Sequence, residues 1–102
     1  MKTIFAPSQV SRVIDQALVF QCACPAQVCR AIFELRELHE YQMKCVSDSR
    51  NDERVHRDIA DVAERTHALM EECLIRVLEI EGWDPVSLTM PESLKKKSAK
   101  VL

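Results

Sequence analysis

At 102 residues the chain is sized for one small domain with a thin core. A single glycine is too few for the tight turns of β-hairpins, and 5% aromatic residues are too few for a base-stacking platform, so helices are expected and an aromatic nucleic-acid surface is not. The net charge of −2 is uneven: residues 92–102 carry Lys95, Lys96, Lys97 and Lys100 against Glu92, while the remainder holds 10 basic and 15 acidic residues and repels phosphate.

The first helix is expected over about residues 8–21, capped by Ser8, with Val10, Val13, Ile14, Ala17 and Leu18 as its apolar stripe. Arg12, Asp15 and Gln16 interrupt the segment where a secretion signal needs a continuous apolar core. Nowhere does the chain reach the ~18 consecutive apolar residues of a membrane span. Pro25 is tolerated at a helix start and not inside one, so a second helix is expected over 25–46. The alternative is one kinked helix running through this point. In the second helix Val28, Ile32, Leu35, His39, Met43 and Val46 share one arc, and Cys29 and Phe33 lie outside it, which implies two neighbours.

A polar connector, Ser47 to Asn51, implies antiparallel packing of the third helix, expected over 52–81 with Ser49 or Asp52 as its cap. In it Val55, Ile59, Val62, Thr66, Leu69 and Cys73 alternate steps of four and three, the seam of a coiled coil. One extra four-residue step then leads to Val77 and Ile80. Ala60, Ala63, Leu74 and Leu78 form a second stripe, with His56 and His67 beside it. Gly82 is placed to end the helix in a left-handed conformation, with Trp83 covering Leu78, and Asp84-Pro85 forbids continuation. Val86, Leu88 and Met90 can then fold back on the helices, and 92–102 is read as a frayed lysine-rich tail beyond a single domain of residues 1–91.

Chemistry is concentrated in Cys22, Cys24 and Cys29, three thiols at a helix–helix turn. Thiolates suit Zn²⁺ or Cu(I), and a thiol at a helix N-terminus is activated by the helix dipole. The C-x-C-x₄-C spacing lacks the paired knuckles of a structural zinc site, so small half-buried hydrophobes are the plainer reading. Cys45 and Cys73 read as core, and five cysteines without a secretion signal suggest reduced thiols in the cytoplasm. Glu53 with His56 and Glu64 with His67 each read E-x-x-H, which resembles the motif of ferritin-like di-iron bundles. That family places one motif on each of two helices, whereas here both lie on one helix, about 16 Å apart. His67 and Glu71 read as a metal-binding pair or a surface pair, and His39 as a satisfied histidine within an apolar seam. No nucleophile triad, phosphate loop or dinucleotide fingerprint is present, so no catalytic residue is singled out and no cofactor is implied.

These readings give an all-α chain: an antiparallel helical hairpin or three-helix bundle with a long third helix, completed by dimerisation. The expected role is protein–protein interaction without enzymatic activity, probed first at Val55, Ile59, Val62, Leu69, Cys73 and Val77 as the homodimer interface. The alternative is a thiol-based Zn, Cu or redox module at Cys22, Cys24 and Cys29. Neither nucleic acid nor membrane is expected as a partner.

Overall fold

The structure, a computed structural model, describes residues 1–19, 23–46 and 52–94. Over these the chain is all-α, with helices α1 (Pro7–Val19), α2 (Cys24–Val46) and α3 (Glu53–Glu81) and no strand. The connector around Ser49, Cys22 with the end of the expected first helix, and the tail from Lys95 onward lie outside the described residues.

The helix ends follow from local chemistry. α1 opens at Pro7, one residue earlier than Ser8 suggested. Proline at the first helical position loses an N–H that would have had no helical partner. Gln9 reaches back to accept the Ala6 N–H at 2.8 Å, supplying half of a capping box. Asp52 caps α3, its Oδ1 accepting the Arg54 N–H at 3.0 Å. At the other end Gly82 adopts φ 79°, its N–H bonds Glu79 O at 3.1 Å, and the Trp83 N–H bonds Leu78 O at 2.9 Å. These two bonds are the paired closure of a Schellman motif.

α2 and α3 run antiparallel. Gln42 of α2 meets His56 of α3, and Arg36 meets His67 and Glu71, so rising numbers on one helix face falling numbers on the other. α1 folds back along the first half of α2, placing the Phe5 carbonyl against Arg36. The segment after α3 closes over α1, where Arg12 Nε donates to Ser87 O and the Met90 N–H points to Gln16 Oε1. Asp84 organises this return: its Oδ1 accepts the Val86 and Ser87 N–H groups, both at 2.8 Å, and these bonds, Ser87 first, hold its carboxyl below the usual carboxylate range.

The core joins Val10, Val13 and Ala17 of α1 to Ala26, Cys29 and Ile32 of α2 and Leu74 and Leu78 of α3, sealed by Phe5, Trp83, Leu88 and Met90. Val86, expected to fold inward, is exposed, because the turn aims it outward while Leu88 and Met90 enter the core. Met43 is also exposed, and Gln42 is buried in its place because it accepts from His56 Nδ1 at 2.6 Å. Of the two residues that fell outside the main arc of the second helix, Cys29 is in the core and Phe33 packs against it.

Replacing Gly82 with alanine tests the closure of α3. The added Cβ has room, its nearest neighbour being Pro91 Cγ at 3.9 Å, so the cost is that of the left-handed backbone alone. A loss of about 1 kcal/mol is expected, lowering the midpoint of thermal unfolding by about 4–8 °C. An unchanged midpoint would show that α3 does not depend on this cap.

Candidate functional site

The polar centre of the molecule is built by three residues that apolar periodicity alone does not single out. Arg36 on α2 and His67 and Glu71 on α3 come together beneath the N-terminal segment. Both His67 and Glu71 are essentially inaccessible to solvent. This corrects the reading of that pair as a metal site or surface decoration: positions four apart share a helix face, and here that face is the buried one. A carboxylate taken out of water must be satisfied. Glu71 Oε2 accepts the Ile4 N–H at 2.8 Å, the Phe5 N–H at 3.0 Å and Arg36 Nη2 at 3.2 Å. Arg36 Nη2 also donates to Phe5 O at 2.7 Å, so the segment preceding α1 is held through both faces of one residue's backbone.

Arg36 Nε donates to His67 Nε2 at 2.9 Å. A guanidinium only donates, so Nε2 must carry a lone pair and the imidazole proton sits on Nδ1. That Nδ1 faces Glu71 Oε1 at 3.6 Å, beyond hydrogen-bond length, and is a buried nitrogen without a bonded partner. Burial holds the imidazole pKa below its ordinary value of 6.5, assisted by the Arg36 charge and opposed by Glu71.

The cysteine cluster does not assemble among the described residues. Cys24 is the first residue of α2 and points to solvent, whereas Cys29 is in the core. Burial pushes the Cys29 thiol up to about 12, against the pull of Arg36, so it is neither a nucleophile nor a ready metal ligand. Cys22 lies outside the described residues. Cys45 and Cys73, expected in the core, are half-buried. The two E-x-x-H units stay apart: His56 is engaged by Gln42, His67 by Arg36, and Glu53 by Arg57 at 2.6 Å. His39 lies 4.0 Å from Glu64 across the helix pair. Among the described residues no three His, Cys, Asp or Glu side chains are grouped to hold a metal ion.

The second feature is what α3 leaves uncovered. Its buried face is the stripe Ala60, Ala63, His67, Glu71, Leu74 and Leu78. The coiled-coil seam lies roughly 100–120° round the helix, and Val55, Val62 and Leu69 are 50%, 45% and 63% exposed. Ile59, Cys73 and Val77 are half-buried in the same row. On α2, Ala31, Leu35 and Leu38 stand about 100° from its own core-facing line. The two rotations have opposite sense on antiparallel right-handed helices, so both rows face the same side of the hairpin. α1 and the N-terminal segment occupy the other side, against Cys29, Ile32 and Glu71. Thr66, the polar member of the seam, satisfies its hydroxyl on Val62 O at 2.7 Å and leaves its methyl outward.

Compared with protein-family models, with curated proteins and with solved structures, the chain matches none of them. Among the described residues no helix is long and apolar enough to cross a membrane.

Two outcomes test the polar centre. Glu71→Leu strands the Arg36 charge and two backbone N–H groups, and a loss of about 3–5 kcal/mol is expected in urea unfolding; a loss under 1 kcal/mol would show that water replaces the carboxylate. The unfolded chain binds a proton at His67 near pH 6.5 that the folded chain refuses. The His67 contribution to stability is therefore complete above pH 6.5 and is lost as pH falls below it. In His67→Gln, which keeps an acceptor for Arg36, the urea midpoint is expected to drop less between pH 7.5 and 5.5 than in the unmodified chain. An identical drop in both would assign the acid sensitivity elsewhere.

Proposed function

We propose that this chain is a non-enzymatic helical interaction protein acting as a homodimer, in which two α2–α3 hairpins pair through their open faces into a four-helix bundle. The observation that carries it is the one-sided apolar face. From Val55 to Ile80 the α3 row extends about 38 Å, and two helices packed 8–10 Å apart are about 20 Å across. The product, on the order of 800 Å², is what one partner of a standard stable interface buries. Within that face Val55, Val62, Leu69 and Ile80 of α3 and Leu38 of α2 stand exposed. A second copy is the natural occupant because closed symmetric dimers use the same patch twice.

The reading places the chain in a reducing compartment such as the cytoplasm, on the five cysteines of its sequence. A thiol-based metal or redox role is the weaker proposal, because it needs Cys29 to leave the core.

Sedimentation equilibrium at micromolar concentration tests the dimer, and a monomer there would overturn it. Val62→Glu sharpens the test. Its side chain is half-exposed in the hairpin, so the variant is expected to keep its helical circular dichroism and its urea midpoint extrapolated to low concentration. In a dimer it buries two unpaired carboxylates, and dimerisation weakened by at least about 100-fold is expected.

A further inference from the structure

We infer that the two copies pair antiparallel, α3 upon α3 and α2 upon α2, about a twofold axis that crosses the hairpin at the level of the Arg36–His67 bond. The inference rests on the homodimer reading and specifies its geometry.

The first observation is the order of the seam. About the point between His67 and Ala68, Val62 is the mirror position of Cys73, Thr66 of Leu69, and Val55 of Ile80. Ile59 and Val77 match within half a residue. An antiparallel copy of α3 therefore meets apolar side chains with apolar side chains along the row except where Thr66 faces Leu69, and the match includes the stretch beyond the extra four-residue step. A parallel arrangement about an axis along the helices would set α3 over the shorter α2 instead, leaving an end of the 29-residue helix without a counterpart on a helix of 23.

The second observation is on the other helix. In the open row of α2 the two leucines, Leu35 and Leu38, stand symmetrically about the point between Arg36 and Glu37. Arg36 Nε lies 2.9 Å from His67 Nε2, so the midpoints of the two rows stand side by side. One axis perpendicular to the helices serves both.

The third observation is charge. Asp58 and Arg76 flank the open row on its outer side and mirror one another within half a residue of the same point. Among the described residues neither has an ionic partner, whereas Asp61 is paired with Arg65 at 2.9 Å and Glu53 with Arg57. The antiparallel dimer brings Asp58 of each copy to Arg76 of the other, two ion pairs by symmetry, the kind of flanking pair that sets orientation in coiled coils.

Disulfide trapping in the full chain tests the geometry. In a C22S/C24S/C45S background the accessible thiol is Cys73, since Cys29 is buried. Under mild oxidation this background is expected to give no covalent dimer, and adding Val62→Cys is expected to give one, because Val62 of one copy lies opposite Cys73 of the other. Circular dichroism confirms folding of each variant. The charges give a second arm: Asp58→Arg or Arg76→Asp alone is expected to weaken the dimer about tenfold, and the two together to restore it. Cross-linking of the background through Cys73 itself, or no cross-link with Val62→Cys while sedimentation still reports a dimer, overturns the antiparallel geometry and leaves the homodimer standing. A monomer by sedimentation at micromolar concentration overturns both.

Discussion

The fold is organised around one buried carboxylate. Glu71 stands on the face of α3 that packs against α2, where an uncompensated charge would not persist. Its Oε2 takes two backbone N–H groups from Ile4 and Phe5 and one donor from Arg36. Such an arrangement is weak as a source of net stability, because desolvation offsets most of the Coulomb gain. Its effect is to narrow the alternatives. The placement of the N-terminal segment and the register of α2 against α3 together satisfy the carboxylate, the guanidinium and the Phe5 carbonyl.

That constraint decides which of two apolar stripes on α3 turns inward. By side-chain size the Val55–Val77 row is the stronger hydrophobe, and Ala60, Ala63, Leu74 and Leu78 the weaker. The weaker row faces α2 because it alone carries Glu71 and His67, which need Arg36, and because its alanines let the helices approach closely. The bulkier row is left on the surface with the α2 row beside it. The hairpin thus places its small and charged residues internally and leaves the larger apolar ones of this row on the face proposed above for pairing.

The elements were legible in the sequence because their signals are local. Asp52, Gly82 and Trp83 mark both ends of α3 through capping chemistry that depends on a few neighbouring atoms. Pro25 marks the start of α2 to within one residue for the same reason, whereas α1 opens at Pro7 and not after a Ser8 cap. The polar centre was not legible. Arg36 sits in a helix rich in charged residues, and nothing in its immediate surroundings separates it from Arg30 or Glu37. A pattern that could have found it is the pairing of an interior-facing arginine, in line with Cys29 and Ile32, with His67 and Glu71 four residues apart on the opposing stripe. Periodicity discards charged residues from a stripe, so the residues that fix the register were set aside as decoration. The cysteine turn failed for the converse reason: closeness along the chain put Cys24 and Cys29 together, and the helix places them on different faces.

The polar centre and the open face are linked through register. An imidazole held neutral on its Nδ1 tautomer by Arg36 Nε fixes one level of α2 against one level of α3 to within a hydrogen bond. A slip of α2 by one turn would move its open row by about 5.4 Å relative to that of α3, and the two rows would no longer share a midpoint. Replacing the cluster with leucines of similar volume could preserve a stable hairpin while removing the reason for a single register. In the proposed dimer the buried charges would therefore act on association at a distance. They contact none of the exposed row, yet they set the relative position of its two halves, and a flat two-helix surface is complementary to itself only when those halves are aligned.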